Sequence, residues 1–124
     1  MRLRNILFVV SNIEESEAFY QDIFHMVPLS HFDGKVIMSE GLVLQEGNLK
    51  EAGEKEDVLL YFEENDMERF YAELKEKKVR VKDSLFESED GRMVARIYDP
   101  DLYLIEIGET MDAMRRRKGE SKNE

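Results

Sequence analysis

"YDPDLYLIEIGE", residues 98–109, is the stretch on which the reading of this chain turns. Tyr103, Ile105 and Ile107 alternate with Leu102, Leu104 and Glu106, the period of a β-strand with apolar residues on both faces. A hairpin folded at "DPD" (99–101) puts Arg96 on the same face as Glu106, near enough to pair. A carboxylate in such a strand is costly to bury unless something pairs with it. Glu106 is therefore read three ways: as a metal ligand, as half of an ion pair with Arg96, or as a residue at a wet edge.

Working outward, the chain reads as two similar halves. "LRNILFVVS" (3–11) is a strand with Asn5, Leu7 and Val9 on one face. Asn12, with Glu15 three residues on, resembles a capping box and opens a helix to about Phe24 that buries Phe19, Tyr20, Ile23 and Phe24. "MVPLSHFD" (26–33), "KVIMS" (35–39) and "GLVLQE" (41–46) follow as strands, with Pro28 at an edge or bulge. "GNLKEAGEKE" (47–56) reads as a linker. The order then repeats: strand "DVLLYFEE" (57–64), a helix capped by Asn65 or Asp66 and bearing Met67, Phe70, Tyr71 and Leu74, and three further strands ending in "LYLIEIG" (102–108). "GLVLQE" laid on "DLYLIE" places Glu46 on Glu106, so the repeat spans about 55 to 60 residues.

Composition narrows the function. The chain has 124 residues, no cysteine and a formal charge of −10. It is long enough to bury a core without disulfides or a structural metal, and it offers no thiol chemistry. Residues 109–124 carry five basic and four acidic side chains and read as a charged, solvated tail, which leaves about −11 on the body. That charge argues against nucleic acid as a partner. The apolar run Ile6 to Val10 is too short for a signal-peptide core or a membrane span, so a cytoplasmic protein with no membrane partner is expected.

The opening "NILFVVSNIEESEAFYQDIF", the middle "LLYFEENDMERFYAEL" and the closing "YDPDLYLIEIGE" together resemble the glyoxalase / bleomycin-resistance / dioxygenase superfamily, the vicinal oxygen chelate proteins, over about residues 3–108. The resemblance implies an α+β fold of two tandem βαβββ modules forming an open, mostly antiparallel, barrel-like sheet with the helices outside. A single domain over 1–108 would then hold module one (1–47), the linker and module two (57–108). Enzymes of that superfamily bind a divalent metal through the first and last strands of each module, positions that fall here on Asn5, Glu46, Leu59 and Glu106. Leu59 cannot ligate, a slip of one residue offers only Val58 or Leu60, and two carboxylates make a weak transition-metal site. No cofactor is expected; a divalent metal belongs only to the alternative reading. His25 and Leu102 stand where the superfamily usually has glycine, which suggests altered loops at both places.

The ligand-binding residues expected on the concave side are Asn5, Leu7, His31, Glu46, Leu59, Tyr61, Arg96, Tyr98 and Glu106, with no catalytic residue among them. An aromatic, partly apolar bowl with one arginine and two acids suits a small amphipathic molecule, and the acidic surround favours a cationic one. The bland readings are a barrel filled by these same side chains, and a His31 that is an ordinary surface residue. Three functions compete. The first is a homodimeric, metal-independent protein that binds a small organic molecule. The second is a metal-dependent lyase, isomerase or dioxygenase with an atypical ligand set. The third is a dimeric scaffold with a filled barrel.

Overall fold

The computed structural model describes residues 1–119. The described chain divides into two compact units, the first made of Met1–Glu54 with Pro100–Leu102, the second of Lys55–Asp99 with the described residues from Tyr103 on. The first unit contains β1 (Ile6–Val10), α1 (Ile13–Phe24), β2 (Pro28–Phe32), β3 (Lys35–Met38) and β4 (Leu42–Glu46). The second contains β5 (Lys55–Glu64), α2 (Met67–Glu76), β6 (Val81–Glu87), β7 (Met93–Tyr98), β8 (Tyr103–Glu109) and α3 (Met111–Arg117). The βαβββ order therefore occurs twice. Each unit is α+β with one four-stranded sheet, ordered β1-β4-β3-β2 and β5-β8-β7-β6, and neither sheet closes on itself. In each sheet the outermost first strand pairs parallel to the last, and the other pairings are antiparallel.

Local chemistry accounts for the helices. The Asn12 side chain accepts the Glu15 backbone N–H at 3.0 Å to start α1, and Asp66 accepts that of Arg69 at 3.1 Å to start α2. Asn65, the other candidate cap, instead accepts the Thr110 hydroxyl at 2.7 Å. One stripe of each helix is buried: Ser16, Tyr20 and Ile23 on α1, and Met67, Phe70 and Leu74 on α2. Phe19 and Phe24 are only half-buried, and with Tyr20 they form an edge-to-face and stacked aromatic group. Strand alternation supplies the opposing faces, Phe8 and Val10 with Leu42 and Leu44 in the first unit, Ala95 and Ile97 with Ile105 and Ile107 in the second.

Three expectations are corrected here. The loops at His25 and Leu102 are not altered: both residues take the left-handed conformation, φ 57° and 70°, that a glycine would have supplied. His25 closes α1 with the Met26 N–H donating back to the Tyr20 carbonyl at 3.2 Å, a glycine-type cap built without glycine. The charged tail begins as structure, because Glu109 ends β8 and Met111–Arg117 form a helix capped by Thr110. Residues 120–124, the remainder of that tail, lie outside the described residues. The linker is also shorter than its composition suggests, since Lys55 and Glu56 already belong to β5.

Candidate functional site

The second sheet carries a polar row on the face opposite the buried Ile97, Ile105 and Ile107. Cα pairing aligns Tyr61 with Glu106, Glu106 with Arg96, and Arg96 with Asp83, one residue from each of its four strands. Arg96 donates from Nε to Glu106 Oε1 at 2.8 Å and from Nη1 to Asp83 Oδ2 at 3.1 Å, and its guanidinium lies 5.2 Å from the Phe86 ring centre. Both carboxylates push the Arg96 pKa further above its ordinary value, Glu106 most, so the guanidinium stays charged at every working pH. The ion-pair reading of Glu106 is the one the geometry bears, with Asp83 as a second partner.

A second acid–arginine–acid chain lies beside the first. Arg92 bonds Glu63 at 3.3 Å and Asp90 at 3.0 Å, and its guanidinium approaches the Tyr61 ring at 5.9 Å. Tyr61 thus stands between the two chains. Its hydroxyl end lies over Gly108, where any Cβ would collide with it, so the absence of a side chain at 108 gives the ring its seat. Burial raises the Tyr61 pKa and Arg92 partly offsets this, which leaves a neutral phenol. At the next row, the Tyr98 hydroxyl donates to Glu56, whose two oxygens also accept from Lys82 Nζ at 2.8 Å. Arg80 covers the Tyr98 ring at 5.2 Å. Lys82 and then Tyr98 lower the Glu56 pKa, holding it ionised. Leu59 is 39% exposed and Tyr61 43%, an apolar and an aromatic surface beside these charges.

The first sheet is built differently. The pairings Leu7–Val43, Val43–Ile37 and Ile37–Ser30 form its corresponding row, which carries no charge. This correspondence overturns the match of Glu46 to Glu106. Val10 pairs Glu46 and Glu64 pairs Glu109, and both β1 and β5 end two residues before a helix cap. The N–H after each acid donates to the same place, Gly47 to the Val10 carbonyl and Thr110 to that of Glu64. Glu46 therefore corresponds to Glu109, and Val43 to Glu106. Glu46 in fact accepts the Ile13 N–H at 2.9 Å, serving the start of α1. His31 likewise turns to the helix, its Nε2 lying 2.8 Å from Glu17 of α1. Asn5 is exposed and precedes β1, and Leu7 is 47% exposed on the sheet's uncovered face.

Of the nine expected binding residues, the second sheet thus gathers Leu59, Tyr61, Arg96, Tyr98 and Glu106, while Glu46 and His31 serve α1. Sequence reasoning missed Asp83, Glu56, Lys82, Glu63, Asp90 and Arg92. Two register shifts between β6 and β7 decide what Asp83 faces, and nothing local in "VRVKDSLFES" announces them. Of the positions where the resemblance would place a metal, the second unit offers only Leu59 and Glu106, and Glu106 is already engaged by Arg96. That donor set does not fit a divalent ion. Among the described residues no three His, Cys, Asp or Glu side chains group to hold one. No helix among them is long and apolar enough to cross a membrane.

Comparison with known proteins follows the same lines. A family model described as a glyoxalase-like domain matches residues 3–112. Among solved structures, a protein of unknown function from Agrobacterium tumefaciens str. C58 is 30% identical with a TM-score of 0.80, the match covering 90% of this chain and 95% of that one. A fosfomycin resistance protein, FosX, from Listeria monocytogenes is 18% identical at TM-score 0.75, over 92% and 98% of the two chains. A lactoylglutathione lyase from Agrobacterium tumefaciens is 17% identical at TM-score 0.67, over 87% and 92%. A search of curated proteins finds no match.

Proposed function

This chain belongs to the glyoxalase-like family, and from that premise we propose that it binds a small organic molecule on the open face of its second sheet without the help of a metal. The observation that carries this reading is Arg96, bonded at once to Glu106 and Asp83. A guanidinium placed against the one carboxylate that the family's metal positions retain supplies the counter-charge a divalent ion would have brought. With Leu59 at the other such position of this unit, no ligand set competes with it. Around the row, exposed Leu59 and Tyr61 offer apolar contact, and the Tyr61 hydroxyl and the second oxygens of Glu106 and Asp83 offer polar contact. This is binding chemistry. The charged and hydroxyl groups of the face hold one another in ion pairs and hydrogen bonds, which favours holding a molecule over converting it.

Two measurements test the proposal. Purified protein should carry less than about 0.1 equivalent of any transition metal after dialysis, because a single carboxylate already paired with Arg96 holds such ions weakly. Stoichiometric nickel, zinc, iron or manganese would put the metal-dependent lyase, isomerase or dioxygenase in first place. A thermal-shift screen of small organic molecules should yield stabilising hits whose effect is lost in Tyr61→Ala. Hits indifferent to that change would move the site elsewhere.

A further inference from the structure

We propose that the molecule bound on this face is an organic cation, an amine or quaternary ammonium carried on an apolar body, seated at Tyr61 between the two acid–arginine–acid chains. The inference rests on the binding role proposed above and names the ligand class. Four carboxylates, Glu63, Asp90, Asp83 and Glu106, surround two guanidinium groups, so these two chains together carry −2 although both arginines are present. Each arginine is already shared between two acids, so neither is a ready anchor for an anionic ligand. Acceptor capacity remains on this face, since Glu106 and Asp83 each accept Arg96 through one oxygen and keep the other.

Tyr61 supplies the second element. An aromatic face attracts cations through its quadrupole, and this ring already draws the Arg92 guanidinium to 5.9 Å. The ring is a fixed platform, because it rests on the bare backbone of Gly108 and Arg92 lies against it. Its remaining surface is open, as is that of Leu59 two residues earlier on the strand, so a cation can sit between the ring and Glu106 while its apolar body lies along β5. The net charge of the chain, −10, adds long-range attraction for a cation and repulsion for an anion.

The test compares three probes that share one ring and differ in charge: benzyltrimethylammonium, benzyl alcohol and benzoate, titrated into ¹⁵N-labelled protein and followed by amide NMR shifts. The cation should bind at about millimolar Kd, a reasonable ceiling for a ligand of this size, and shift amides around Tyr61 and Glu106. Benzyl alcohol should bind at least about fivefold more weakly, and benzoate more weakly still. Tyr61→Ala and Glu106→Gln should each weaken the cation by about fivefold or more, while Tyr61→Phe, which keeps the ring, should change it by less than about twofold. The spectra show directly that each variant is folded. Equal binding of the alcohol and the cation would overturn the charge preference and leave the small-molecule reading standing. Tighter benzoate would overturn it in favour of the arginines as anchors. A cation indifferent to both Tyr61→Ala and Glu106→Gln would overturn the seat. Silence from all three probes at these amides would remove the face as a site, and the proposed function with it.

Discussion

Replacing Arg96 by methionine removes the centre of the polar row and keeps its aliphatic bulk. Two charge-assisted hydrogen bonds are lost, at 2.8 and 3.1 Å, and two carboxylates are left without their shared counter-charge. Side-chain exposures of 34% for Arg96, 21% for Glu106 and 37% for Asp83 place the pair between limiting cases. A buried pair broken on one side costs about 3 to 5 kcal/mol and an exposed one about 1 or less, so about 2 kcal/mol is expected here. The raised Arg96 pKa means its stabilising charge is present at every pH below its ordinary range. Four of the five tyrosines (61, 71, 98 and 103) lie in the second unit and there is no tryptophan, so tyrosine fluorescence during urea unfolding reports mainly on the unit that contains the row. A loss of about 2 kcal/mol moves the midpoint down by about 1 M urea. Arg96→Met with Glu106→Gln should recover at least half of it, because Asp83 alone can remain solvated. A single variant that unfolds at the wild-type midpoint, or a double no better than the single, would show that the row is not held together by this pair.

Further outcomes follow from other parts of the fold. Glu109 is 6% exposed and Arg117 holds its carboxyl below the usual carboxylate range, helped by the Met93 N–H. A lowered folded pKa means this stabilisation is complete above about pH 4.5 and is lost as pH falls through the folded value. Arg117→Met should therefore cost about 2 to 3 kcal/mol at neutral pH and progressively less in acid, read by circular dichroism during urea unfolding. Ser16 is wholly buried on α1 with no partner for its hydroxyl among the described residues, so Ser16→Ala should raise stability by about 1 kcal/mol, measured as a higher thermal midpoint. Leu102 holds φ 70° without being glycine, and Leu102→Gly should be neutral to about 1 kcal/mol stabilising, whereas a loss above that would mean its side chain outweighs the backbone strain.

Much of this protein is legible in the sequence because it is decided locally. Asn12 and Asp66 begin helices wherever their side chains meet the third N–H onward, and the apolar spacing of Met67, Phe70 and Leu74 selects the buried stripe before any partner is known. The Arg96–Glu106 pair belongs to the same class. A hairpin ten residues long leaves little freedom in register, so face and partner follow from counting back from "DPD". The repeat is equally plain in the order of its elements.

The register of distant strands is another matter. Whether Glu46 matches Glu106 or Glu109 depends on how β4 sits against β1, and β8 against β5, parallel pairings between segments joined through a helix and two strands. Apolar residues occupy both faces of "GLVLQE", so the pattern itself tolerates a slip that carries a carboxylate from the sheet's open face to a helix terminus. Bulges have the same effect in the second unit, where register shifts along β5 and β6 determine what stands beside Leu59 and bring Asp83 to Arg96. Helical starts and a short hairpin are set by contacts within a few residues, and those the sequence states. The charge balance of the second sheet's polar face is the sum of side chains from four strands, and only the tertiary pairing of those strands decides which charges meet.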